Sequence, residues 1–164
     1  MAGRAWVFGD SIDTDIIAPG VWLKFPVEEM AKHCMEAIDP AFAKQVQPGD
    51  VLVAGKDFGL GSAREQSGLC LKTLGISAVL AKSFSRIFYR NAFNMGLPVL
   101  FFPYVDEIAA GDQVEADWIE GRVRNLTTGK EYEVQKVPPH LIAIINDGGL
   151  MPHLKKKLGA RKAG

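Results

Sequence analysis

Between residues 51 and 102 the chain alternates strand, helix, strand, helix, strand; after Asp106 it changes to short strands joined by turn residues. These two patterns predict an α/β fold, a small parallel sheet with crossover helices plus antiparallel strands. At 164 residues and 48% hydrophobic content, one compact domain spanning 1–164 with a proper core is expected.

Residues 4–8 read as a short strand that runs into Gly9-Asp10-Ser11-Ile12-Asp13-Thr14-Asp15 and on to Pro19-Gly20. Three aspartates between glycines and a proline predict a loop rather than a helix interior. Its Asp and Thr side chains can bond nearby backbone and stiffen it. EF-hand spacing and the closing Glu are missing, which speaks against calcium. Residues 21–25 form an apolar patch whose sole charge is Lys24, beside Trp22 and Phe25. A snorkelling surface lysine and a ligand contact both stay open there. A helix over 27–38 follows, with Met30, Cys34 and Ile38 at i, i+4 and i+8, and Asp39-Pro40 ends it.

Pro48-Gly49-Asp50 turns into an apolar strand over 51–54, which feeds Gly55-Lys56-Asp57-Phe58-Gly59-Leu60-Gly61-Ser62-Ala63-Arg64-Glu65. The glycines allow tight turning and close approach to a ligand. Ser62, with Glu65 three positions on, has the capping-box pattern and predicts a helix over 62–74, closed by Gly75. Ala63, Cys70, Leu71 and Leu74 fall on one face of that helix. A glycine-rich turn at a helix start is suited to an anion, and Arg64 adds a planar fork for a carboxylate. Ser62 as a mere cap and Arg64 as a solvated arginine is the competing reading. The loop lacks the Gly-Lys-Ser/Thr ending of a Walker A motif and the third glycine of a dinucleotide fingerprint, which disfavours a nucleotide.

A strand over 78–81 leads to Ser83 and a helix that closes at Gly96-Leu97-Pro98, before a strand over 99–102. Strands over 114–119, 122–126 and 131–134 are joined by Glu120-Gly121 and Thr128-Gly129 turns, so antiparallel pairing is expected. Pro138 and Pro139 introduce a helix over 141–146, and Gly148-Gly149 separates it from an amphipathic stretch over 150–158. A basic tail from about 155 to 164 reads as a frayed, solvated end.

Nineteen basic and nineteen acidic residues cancel, so bulk charge gives no reason to expect nucleic acid. Cys34 and Cys70 are far apart in sequence, without CxxC or Cys/His spacing. The chain by itself therefore builds no zinc or iron–sulfur site, and buried free thiols in a reducing cytosol are expected. With no 18-residue apolar run and no signal-like N-terminus, the expected location is cytoplasmic, away from membranes.

Three stretches in this order carry a resemblance: residues 10–17 (DSIDTDII), 58–65 (FGLGSARE) and 82–91 (KSFSRIFYRN). Together they resemble the small subunits of 3-isopropylmalate dehydratase and homoaconitase, the swivelling β/β/α domain of the aconitase superfamily. The likeness runs from Phe8 to Gly149. It implies a large-subunit partner that carries a [4Fe–4S] cluster and most substrate contacts, with no cofactor bound by this chain. The substrate it implies is a small hydroxy acid; self-association is an expectation for the isolated chain. By the same resemblance Ser62 is the catalytic base, acting as an alkoxide, and Arg64 a substrate-carboxylate ligand. Gly61 contributes to the glycine N–H groups, Asp10 is an acidic residue lining the site, and Lys24 falls in the substrate-selecting loop.

Two departures bear on the substrate. Where the family usually has a second serine, this chain has Ala63, which removes a hydroxyl donor to a substrate carboxylate. At the position of Lys24, homoaconitase-like chains tend to have arginine and isopropylmalate-specific chains an apolar residue. Lysine supplies charge without the fork. Isopropylmalate is the leading substrate, homoaconitate or a related 2-hydroxy acid the alternative. A non-catalytic anion-binding assembly module is the rival from another class.

Overall fold

A computed structural model of the chain describes residues 2–62 and 64–163, excepting the side chains of 160–163. Strands β1 (Gly3–Val7), β2 (Val51–Ala54), β3 (Ala78–Ala81) and β4 (Val99–Phe101) pair parallel in sequence order, with Ala5 opposite Val51, Val53 opposite Leu80, and Ala81 opposite Phe101. On its other side β1 pairs antiparallel with β5 (Gln113–Asp117), and β6 (Arg122–Asn125) and β7 (Lys130–Glu133) extend that arm. One mixed seven-stranded sheet results, in the order β4-β3-β2-β1-β5-β6-β7.

Every residue of β2 and β3 is buried, as expected of parallel strands covered on both faces. Helices α1 (Thr14–Ile17), α2 (Val27–Ala31) and α3 (Phe42–Gln45) lie between β1 and β2; α4 (Glu65–Thr73) and α5 (Arg86–Asn94) form the next two crossovers. α4 packs against both α2 and α5. The sheet curls until its two edges meet through side chains. Phe102, just past β4, packs edge-on against Tyr132 of β7 at 5.2 Å, and Tyr104 stacks on the same ring at 5.2 Å. α6 (Pro139–Asn146) and α7 (Leu150–Ala163) follow the arm. Asp50 ties β1 to the turn before β2: its buried carboxylate accepts from Arg4 N, Trp6 Nε1 and Gln47 N at 2.9–3.0 Å. Those bonds offset the desolvation of a buried carboxylate.

The predicted α/β architecture and both sheet directions stand; β2 and β3 fall on the expected residues. Four local expectations are corrected. The aspartate-rich loop contains a helical turn, α1, because the Asp13 side chain accepts from Ile16 N at 2.8 Å and caps it. The helix expected over 27–38 stops at Ala31, and the chain turns irregularly through Met35, at φ 62. This bend buries Met30, Cys34 and Met35 while leaving Ile38 exposed. The helix expected to start at Ser62 starts at Glu65. The C-terminal stretch is helical to Ala163 rather than frayed from 155, and Lys156 is paired with Asp147 at 3.1 Å.

Candidate functional site

The carboxyl ends of β1 and β2 lie side by side, and the two segments leaving them are laced together by backbone. Gly55 N donates to Gly9 O at 3.0 Å, Ser11 N to Lys56 O at 2.8 Å, Gly59 N to Ile12 O at 2.7 Å and Thr14 N to Leu60 O at 2.8 Å. Glycine is required at two of these places. A Cβ on Gly55 would overlap the Asp10 carboxylate; one on Gly59, already at φ 85, would overlap the Phe88 ring. The same loop is held from its other flank, where Asp57 N donates to Ser83 Oγ at 2.8 Å and Phe58 bridges Phe84.

This lacing delivers Arg64 to the C-terminal end of α1. Its Nη1 donates to Asp15 Oδ1 at 2.9 Å and to the Ala18 carbonyl at 3.1 Å. Asp15 Oδ1 also accepts from Gly20 N at 3.0 Å. The Arg64 side chain is 22% exposed, and its Nη2 and Nε have no hydrogen-bond partner among the described residues. One edge of the guanidinium is thus fixed to protein, and the other remains for a carboxylate. The hydrogen bond from Arg64, and after it that from Gly20, holds the Asp15 carboxyl below its ordinary range. Asp15 is 68% exposed, so the pair adds little stability in water; what it supplies is position.

Ser62 is exposed, and its hydroxyl has no hydrogen-bond partner among the described residues. Among the described residues its carbonyl alone is engaged, accepting from Arg64 N at 2.8 Å. The expected capping box is absent: Arg64 occupies the N-cap position of α4, with no side-chain cap. Two residues separate Ser62 from the helix proper, and the dipole's influence fades beyond the first turn. Gly61 is exposed at φ 99 beside Thr14, with space for a Cβ only 3.2 Å from Thr14 Oγ1. Ala63 lies outside the described residues.

Asp10 and Asp15 have different partners. Asp10 is exposed and accepts from Lys56 N at 2.7 Å, serving the junction of the two loops. Asp15, not singled out from sequence, is the acid that touches Arg64. The spacing of Asp13 to Ile16, an Asx cap before Thr-Asp-Ile-Ile, is the signal that could have exposed it.

Lys24 is exposed, in the turn after a 3-10 segment, Gly20–Trp22. That turn is anchored through Trp22, whose ring stacks on His33 at 3.6 Å and whose Nε1 donates to Glu36 Oε1 at 3.3 Å. It starts at Gly20, whose N–H shares the Asp15 oxygen with Arg64. The segment carrying Lys24 is thus linked to the guanidinium by two hydrogen bonds that share Asp15 Oδ1.

Cys34 and Cys70 are buried free thiols; burial pushes the Cys70 thiol up to about 12 and raises Cys34 as well. Among the described residues no three His, Cys, Asp or Glu side chains gather where they could hold a metal. Nor is any described helix long and apolar enough to cross a membrane. A cavity of about 410 Å³ lies instead against α6 and α7, lined by Ala143, Asp147, His153 and Lys156 among others. Its lining includes no residue of the glycine loop.

Residues 22–104 match the aconitase C-terminal domain family. The chain is 52% identical to 3-isopropylmalate dehydratase small subunit 1 of Thermotoga maritima, covering 94% of each chain. The chain belongs to the 3-isopropylmalate dehydratase small-subunit family. Another relative of this family is the methanogen homoaconitase small subunit of Methanothermobacter thermautotrophicus, 47% identical over 95% of this chain and 91% of that one. A crystal structure of 3-isopropylmalate dehydratase (leuD) from Methanocaldococcus jannaschii superposes with a TM-score of 0.93 at 45% identity, covering 99% of this chain and 98% of the other. As a member of the small-subunit family, the chain joins to the glycine loop a fold shared across nearly its whole length.

Proposed function

We propose that this chain is a single swivelling domain and the small subunit of a hydro-lyase that interconverts 2-isopropylmalate and 3-isopropylmalate, a step of leucine biosynthesis. The observation that carries the site assignment is the half-engaged guanidinium of Arg64, fixed by Asp15 and the Ala18 carbonyl within two residues of an unengaged Ser62 hydroxyl. In this reading the free edge of Arg64 binds the carboxylate next to the carbon that loses its proton. Ser62 Oγ, as the alkoxide, takes that proton; Arg64 offsets the charge that develops on the carboxylate. Hydroxyl departs to complete the elimination, and re-addition of water at the neighbouring carbon, with return of the proton, gives the isomer. The residues of this chain do not fit a cluster: both thiols are buried with raised pKa, and no ligand group of three gathers among the described residues. In this reading the [4Fe–4S] cluster belongs to a large-subunit partner, and activity requires both chains.

Homoaconitate is the second reading of the substrate. It is favoured by the cation at Lys24, on the segment joined to Arg64 through Asp15, and by the homoaconitase relative. The test is a substrate panel on the complex reconstituted with its cluster-bearing partner. Turnover of 2-isopropylmalate above homoaconitate is the expected result. Preference for homoaconitate would reverse the assignment, and inactivity on all 2-hydroxy acids would return the chain to an assembly role.

A further inference from the structure

At the carboxyl ends of β3 and β4 lies a second feature that the chemistry above does not use. A cleft of about 270 Å³ is lined by Phe84, Arg86, Tyr89, Arg90 and Phe101. Phe101 meets Phe84 edge-on at 5.4 Å and stacks with Tyr89 at 5.5 Å, yet it stays 40% exposed. Arg86 and Arg90 stand one helical turn apart on α5; both are exposed, and neither joins an ion pair among the described residues. Lys136 borders the same aromatic pair from the other side. No carboxylate lines either border. Three cations around an exposed aromatic floor select an acidic, partly apolar counterpart, and arginine with aromatics is the composition of interface hot spots.

Place matters as much as composition. The cleft and the Ser62 loop sit at the same end of the parallel strands, and Phe58 of that loop bridges Phe84 and touches its ring at 6.2 Å. The glycine loop and the cleft are therefore adjoining parts of one surface, joined through Phe58 and Phe84. We propose that the cleft docks the large subunit, which presents carboxylates to Arg86 and Arg90 around an apolar side chain seated on Phe101. This rests on the reading of the chain as a small subunit.

The test is the Kd of the wild-type and variant chains for the large subunit at several salt concentrations, with kcat read at saturating partner. Arg86→Glu/Arg90→Glu should weaken binding about tenfold or more and remove most of its salt dependence, leaving kcat at saturation unchanged. An acid at position 86 falls in the first turn of α5, where it is favoured, so the fold should survive. Phe101→Ala should weaken binding as well, without changing the salt dependence. Binding by a functional wild type with variants within about twofold in Kd would overturn the docking surface while leaving the enzyme reading intact. Lowered kcat with unchanged Kd would overturn it too, and mark the cleft as a small-anion site. A wild type that does not bind the large subunit would overturn both readings together.

Discussion

Two strand-to-helix connections leave the same end of the parallel sheet, and each contains a serine ahead of its helix. In the β3–α5 connection, Ser85 is the N-cap: its Oγ accepts from Phe88 N at 3.2 Å, and the helix begins at the next residue. In the β2–α4 connection, Ser62 caps nothing among the described residues, and the helix waits until Glu65. The first serine is used up by structure. The second, two residues before Arg64 in the chain, has no hydroxyl partner among the described residues, in a loop whose backbone bonds go to the 9–14 segment instead of to a helix. The two serines thus differ in what their hydroxyls bond, although each stands shortly before a helix in the sequence.

The sharpest way to break this comparison is to delete each serine in turn. Ser62→Ala should lower kcat of the reconstituted complex by about 10²–10⁴, the range for loss of a positioned base. Because Ser62 caps no helix, unfolding stability should move by no more than about 0.5 kcal/mol. Arg64→Lys should follow, with kcat/KM down by roughly 10–100-fold, since a point charge cannot keep the bonds to Asp15 and Ala18 while offering a second edge to substrate.

Asp15→Asn tests positioning and should cost about tenfold in kcat/KM, less than the loss of Arg64 itself. Its carboxyl is held below the ordinary 3.8, so the native pair is fully present above that value and is lost only as pH falls through the lowered folded value. The Arg64-dependent part of substrate binding should therefore persist unchanged from neutral pH to about 4, where a pH titration of substrate affinity would read it. Smaller still is the effect at Lys24. Lys24→Leu should raise the isopropylmalate-to-homoaconitate ratio of kcat/KM and Lys24→Arg should lower it, each by about tenfold or less, given the exposure of this side chain. Ser85→Ala closes the comparison: stability falls by about 1 kcal/mol while kcat stays near wild type.

The parallel core was legible because apolar runs bounded by turn residues leave little choice: β2 and β3 need burial on both faces, and their neighbours punctuate with Gly49, Gly55 and Gly75. The Ser62–Arg64 stretch was legible as a special loop for the same reason. What sequence did not reveal was set by contacts between segments far apart in the chain. α1 exists as four residues because Asp13 caps it and Leu60 accepts from Thr14, and only the second of these needs the folded sheet. The start of α4 shifted because Gly59 and Leu60 spend their backbone groups on Ile12 and Thr14, which local capping rules cannot register. Asp15 escaped notice for that reason, whereas Asp10, first in the motif, turned out to bond Lys56 N.

Proton exchange at the substrate carbon tests the role of Ser62 most directly. The reconstituted complex would be incubated in deuterated water with 2-isopropylmalate, and deuterium at the carbon next to the Arg64-bound carboxylate would be followed by mass spectrometry or NMR. Wild-type complex should incorporate label. Ser62→Ala complex, with partner affinity and stability unchanged, should lose incorporation by the same factor as kcat. Label entering the Ser62→Ala complex at the wild-type rate would show that another group takes the proton, and would reduce the free hydroxyl to a bystander.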